Sequence, residues 1–339
     1  MVIALWLAGC AERTINHSPG GTTVTIAAAS ATIDTPTNVE LSSAVLRSKA
    51  TGTVSYGCTY NAAGSDSATE STSYNTLEVI SSTARSQANL FTAPSYMKIN
   101  SVTLRVRKVG GPTTDMYTTI RAGSGLDPSG ASLATSGGYP INATITSVFA
   151  VGQLITFALA APLEVASGGL YAISLNVASN TSLDGANNIL WVVSDSVGPP
   201  EACSGFPIYR YSSDTGGTWG VGSNLNYRRG LFTVNADQHA TSGTASWILD
   251  AQRSTAVWSM STFSFSENPS GVYGGTITYD VGVGSSSTTA TYSSLAQTKA
   301  QVKTLSSLTG RYLYVRANFN VPAPGYDVAA LGDGSIIYQ

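Results

Sequence analysis

Histidine and cysteine are nearly missing from this 339-residue chain, which holds only His17, His239, Cys10, Cys58 and Cys203. Histidine is the usual general base near neutral pH and the commonest metal ligand, so its scarcity narrows the chemistry open to the protein. No CxxC spacing joins the cysteines into a zinc ribbon or a thioredoxin-type site. Charge is scarce as well. Asp, Glu, Lys and Arg make up 11% of the residues, with 17 Lys+Arg against 19 Asp+Glu and a formal net charge of -2, where soluble domains carry roughly 25%. Without clustered cations there is no electrostatic footprint for nucleic acid. No apolar run reaches the roughly 18 residues that a membrane-spanning helix needs. GxSxG, HExxH and Walker A runs are also absent. These absences predict a protein that is not an enzyme and needs no cofactor. Paired carboxylates can meet in space without being close in sequence, which keeps a polysaccharide-active enzyme as a third reading.

Hydroxyls fill the gap left by charge, since Ser and Thr make up about a quarter of the chain. Hydrophobic residues, at 42%, are spread in short runs that still allow a core. The runs alternate with period two. Val102, Leu104 and Val106 interleave with Ser101, Thr103, Arg105 and Arg107, the pattern of a strand with one wet face, and Gly110-Gly111-Pro112 ends it. Further strands are read at 117–122, 154–159, 170–175 and 188–193, with a turn at Asp127-Pro128-Ser129-Gly130. The one candidate helix is Ser294 to Lys303. Such spacing predicts an all-β chain of antiparallel sandwiches in tandem. Its division is expected at 1–80, a β-rich attachment or assembly region, then 81–236 and 237–339.

At the N-terminus two readings stay open. Val2 to Leu7 is rich in strand formers, and Thr22 to Ile26 reads as its returning partner after Pro19-Gly20-Gly21. Alternatively Leu7-Ala8-Gly9-Cys10 has the form of a lipobox, which would make Cys10 a lipid anchor. Cys58 and Cys203 are either a disulfide, in an oxidising compartment, or two buried thiols.

From about Arg85 to Val234 the chain resembles the jelly-roll modules of bacterial surface and phage virion proteins. The likeness is carried by Gln87 to Pro94, Ile99 to Gly110, Pro128-Ser129-Gly130, Phe157-Ala158-Leu159 with Pro162-Leu163, and Gly168-Gly169-Leu170-Tyr171. It implies a sandwich related in shape to carbohydrate-binding modules. A weaker resemblance to discoidin-like sandwiches spans Thr241 to Gln339, on Ala256 to Ser259, Gly275 to Gly284 and Gly310 to Ala317, with Gly334 to Tyr338 as a closing strand.

Aromatic rings concentrate late in the central module, at Trp191, Tyr209, Tyr211, Trp219 and Tyr227. Such rings stack on apolar sugar faces or fill a core. Arg210, Arg228, Arg229 and Asp214 are candidates for the polar contacts of a ligand. Trp219, in a glycine-rich stretch, is the leading ligand contact. Asp127, Asp184 and Asp195 are read as turn caps before calcium ligands. Arg105, Arg107 and Lys108 are read as a solvated strand face.

The expectation is a non-enzymatic structural or adhesive protein. The leading reading is a phage virion component, such as a tail fibre, head fibre or capsid decoration protein, that contacts other virion proteins and host glycans. Homo-oligomerisation is expected, with a trimer suiting a fibre. The competing reading is a surface lipoprotein or adhesin anchored at Cys10, extracellular or on the outer membrane.

Overall fold

The computed structural model describes residues 15–18, 21–33, 38–57, 74–78, 86–125, 127–145, 152–179, 183–184, 186–194, 210–212, 218–219, 229–250, 256–269, 271, 273–306 and 308–338. Val2 to Cys10, Cys58 and Cys203 lie outside them, and with them the lipobox, the strand at Val2 to Leu7 and the disulfide. The expected strand at Thr22 to Ile26 is present within Gly21–Ile26, and its partners are Ile15–Ser18 and Ala330–Tyr338. The chain is all-β, and its strands pair antiparallel among the described residues. It forms two compact units, residues 53–237 and residues 1–52 with 238–339. The second unit of the sequence is therefore an insertion into the first. This corrects the expected tandem division, in which 1–80 stood apart from 237–339.

The inserted unit is built on two sheets. In the six-stranded sheet the order is Asp127–Thr135, Asp115–Ser124, Leu170–Val177, Ser86–Thr92 and Arg210–Ser212, with Tyr139–Pro140 beside Asp115–Ser124. In the seven-stranded sheet Met97–Val109 is the spine. Gln153–Val165 runs along one edge, while Asn188–Ser194 and Phe232–His239 share the other end to end. Alternation decides which face is buried: Val102, Leu104 and Val106 are fully buried, and so are Ile120 and Ile173 of the other sheet. Phe91 and Phe232, one from each sheet, meet with ring centroids 5.9 Å apart.

The Asp127–Gly130 stretch is not the turn that its composition suggests. It begins the strand Asp127–Thr135, and Ser124 pairs with Asp127 across a turn containing Gly125, whose φ is +62°. The register slips between Ile120 and Ala122, and Gly130, at φ +66°, takes up the slack on the bulged strand. Arg121 Nη1 donates to the Gly130 carbonyl at 2.8 Å and closes the bulge. Glycine here serves a bulge, which shares the turn's need for positive φ.

In the outer unit a five-stranded sheet runs Ser294–Gln297, Thr276–Gly284, Tyr312–Asn320, Ser242–Asp250 and Thr32–Ile33. The facing sheet is organised by Ala330–Tyr338. It pairs with Met260–Glu267 along one edge and with Gly21–Ile26 along the other, where Val45–Ser48 takes its first residues. The strand expected to close this sheet is thus central in it. Its partner comes from the opposite end of the sequence, which is why residues 1–52 belong to this unit. Trp247, Phe263, Phe265, Tyr279, Leu313, Val315 and Ile336 form the core. The Phe263 and Tyr279 rings pack edge to face, 4.8 Å apart.

The expected helix at 294–303 is half strand. Ser294–Gln297 pairs with Thr276–Gly284, and only Lys299–Val302 is helical. Thr298 starts that turn with a capping box: its hydroxyl accepts from Gln301 N at 3.3 Å, and its own N–H donates to Gln301 Oε1 at 2.8 Å.

Candidate functional site

Of the aromatic residues singled out in the sequence, Trp191 is a core residue and not a ligand contact. Its side chain is 0% exposed and its indole N–H donates to the Leu231 carbonyl at 2.9 Å. Its register partner is Val106, on the buried face of the spine strand, and that pairing turns the ring inward. Trp219 is half-buried. Tyr211 lies on the edge strand Arg210–Ser212 opposite Gln87. Tyr209, Tyr227 and Arg228 lie outside the described residues, as do Asp195 and Asp214.

Asp184 caps a turn, as its loop position suggested. It accepts from the backbone N–H of Ala186 at 2.8 Å and of Asn187 at 2.7 Å, and these bonds hold its carboxyl below the usual carboxylate range. Lys108 is likewise tied locally, donating to the Asn142 carbonyl at 3.3 Å and to its side chain at 3.1 Å.

What the inserted unit does present is the outer face of its seven-stranded sheet. Because Val102 and Leu104 point inward, Ser101 and Thr103 point out. Their register neighbours on this face are Asn235 and Thr233 on one side and Thr156 on the other. These side chains bond to one another across the strands. Ser55 Oγ donates to Asn235 Oδ1 at 2.7 Å, and Asn235 Nδ2 donates at 3.0 Å to both Ser101 Oγ and Thr103 Oγ1. The Thr103 and Thr156 hydroxyls then meet at 2.9 Å.

The row therefore crosses from the strand Ala50–Tyr56 to the strand Gln153–Val165 without a charged side chain in it. Charge flanks the row on both sides: Asp237 receives Asn100 Nδ2 at 2.6 Å and Lys98 at 3.4 Å, and Arg105 follows Thr103 on the same face of the spine strand. Leu154, paired in register with Arg105, stands 61% exposed on the same face.

Each hydroxyl offers one donor and two acceptor positions, so the bonds within the row leave capacity for a partner. Holding one another, the side chains have little rotamer freedom left to lose on contact. The alternation of the spine strand announces Ser101 and Thr103 as a wet face. Nothing local announces Asn235, 134 residues from Ser101, or Ser55, 180 residues from the Asn235 that it bonds. Comparison with family models finds none that matches the chain, and comparison with curated proteins finds no match either.

Proposed function

We propose that this chain is a non-enzymatic structural and adhesive protein of an assembled surface, in the first place a phage-type virion component such as a fibre or decoration protein. The observation that carries the reading is the neutral, mutually bonded row Ser55–Asn235–Ser101/Thr103–Thr156 on an exposed sheet face. A second copy of the chain is the partner proposed for it. Uncharged hydroxyls cost less to desolvate than ions, and side chains already fixed lose little entropy on docking. The exposed Leu154 adds apolar area at the same face. The scarcity of charge over the whole chain supports the same reading, because little repulsion opposes self-association.

Light scattering of the purified chain tests it. An oligomer is expected for the unaltered protein, and the double variant Thr103→Arg/Thr156→Arg should be a monomer with an unchanged circular dichroism spectrum. A monomer at all concentrations, together with no co-sedimentation with particles, would overturn the reading.

A further inference from the structure

The outer unit holds a second polar surface, and it is concave. On the outward face of the five-stranded sheet the registers align Thr276, Asn320 and Ser242 in one row and Thr278, Asn318 and Thr244 in the next. Asp280, Arg316 and Ser246 form the third row. The segment 286–296 lies over the sheet from the third row onward. Ser286 is pinned there by Tyr314, whose hydroxyl donates to the Ser286 carbonyl at 2.8 Å and accepts from its N–H at 3.1 Å. Tyr292 is held under the Arg316 guanidinium, 4.4 Å from its ring centroid. Ser242, Thr244, Thr278, Asn318 and Asn320 of the first two rows line an open groove of about 440 Å³, with Asn38 and Ala296 among its walls.

Two features make this groove a built site. Ala296 sits at φ +53°, a conformation that costs a non-glycine residue energy. It is kept there by its own N–H, which donates to Asp280 Oδ1 at 2.7 Å. Asp280, its side chain 6% exposed, also takes Arg316 Nε at 2.9 Å and Nη2 at 2.6 Å on its other oxygen. Asn318 adds a further side-chain donation to the same carboxylate.

Asn318 thereby commits one of its two amide hydrogens to Asp280, and its second hydrogen and its carbonyl oxygen remain. Asn320 likewise commits one amide hydrogen, its Nδ2 donating to the Asn318 backbone carbonyl at 3.3 Å. The groove thus offers amide oxygens and amide hydrogens, and hydroxyls from Ser242 and Thr278 that can serve either role.

We propose that this groove binds a neutral polyhydroxylated ligand, a hexose unit of a glycan. A volume of a few hundred Å³ is the size of small-molecule sites. A sugar's hydroxyls, each donor and acceptor at once, match the mixed amide and hydroxyl lining. A carboxylate or phosphate would be desolvated there without a cation, since no charged side chain among the described residues lines the groove. The inference stands on the outer unit alone and does not depend on how the sheet face at Thr103 is used.

Saturation-transfer NMR on the full-length protein tests it, with glucose, galactose, mannose and N-acetylglucosamine at millimolar concentration and galacturonate and sialic acid as anionic probes. At least one neutral sugar should bind and both acids should not. Thr278→Val, which removes a hydroxyl at constant volume, should weaken that binding about fivefold, the worth of one hydrogen bond. Asn320→Leu should do the same, and the melting temperatures of both variants report that the fold is retained. Binding of no neutral sugar, equal binding of the acids, or undiminished binding in both folded variants would overturn the proposal.

Discussion

Single side chains carry distinct duties here that their types alone do not reveal. Trp191 is the clearest, because a tryptophan in an apolar strand serves equally as platform or core until its partner on the next strand is known. Buried and bonded to Leu231, it is expected to cost about 3–5 kcal/mol on truncation to alanine. Trp191→Phe should cost about 1–3 kcal/mol, through lost ring volume and by leaving the Leu231 carbonyl with the Arg105 N–H at 3.4 Å in place of the indole donor. Denaturant midpoints of the two variants check both figures.

Asp280 gives a prediction in pH. Burial opposes its ionisation, but donation from the Ala296 amide, Arg316 and Asn318 outweighs that and holds the carboxyl below the usual range. The unfolded chain, with an ordinary Asp at about 3.9, then binds more protons than the folded one in acid. The stabilisation is fully present above about pH 4 and is lost as pH falls through the lower folded value. Between about pH 5 and pH 2.5 the unaltered protein should therefore lose stability more steeply than Asp280→Asn, measured by urea unfolding at each pH.

Among the elements, the strand Asp127–Thr135 shows how punctuation can mislead. Gly130 has positive φ and no atom within 4 Å of where a Cβ would stand. Gly130→Ala should thus destabilise by about 1 kcal/mol through backbone strain alone, while Ala131→Gly next to it lacks that cause. Thermal melts of the pair separate backbone strain from lost packing. The strand Ala330–Tyr338 is the opposite case, a regular element whose importance lies in its neighbours. Ile336 pairs with Val24 on one side and Phe263 on the other. Ile336→Pro should remove ladder bonds from a central strand, at a cost of about 3 kcal/mol or more. The same substitution at Leu295, on the short edge strand Ser294–Gln297 and 58% exposed, should cost less.

For the whole molecule, the insertion makes its own prediction. Thr51 Oγ1 donates to the Gln238 carbonyl at 3.2 Å, and Ala240 N donates to the Lys49 carbonyl at 2.9 Å, so the two ends of the outer unit lie side by side. A chain with residues 53–237 replaced by a two- or three-residue Gly-Ser link should fold with a single cooperative melt, since every residue of the outer core comes from 1–52 or 238–339. A fragment of 237–339 alone should not, because Ala330–Tyr338 would lose Gly21–Ile26. Dispersion in an amide NMR spectrum distinguishes the two outcomes. The sequence by itself determined the all-β class, the strands read at 100–107, 117–122, 154–159, 170–175 and 188–193, and the wet face of Ser101 and Thr103. Those follow from period-two alternation and glycine or proline punctuation, which are local properties of a chain. Which strand lies beside which was decided only by the tertiary structure. It joined the first fifty residues to the last hundred and turned Trp191 inward. It also brought Asn235 to Thr103, and Asn318 to Thr278 and Thr244. Antiparallel pairing aligns residues far apart in sequence by backbone hydrogen bonds that every residue type can make, so the partner leaves no mark on the local pattern.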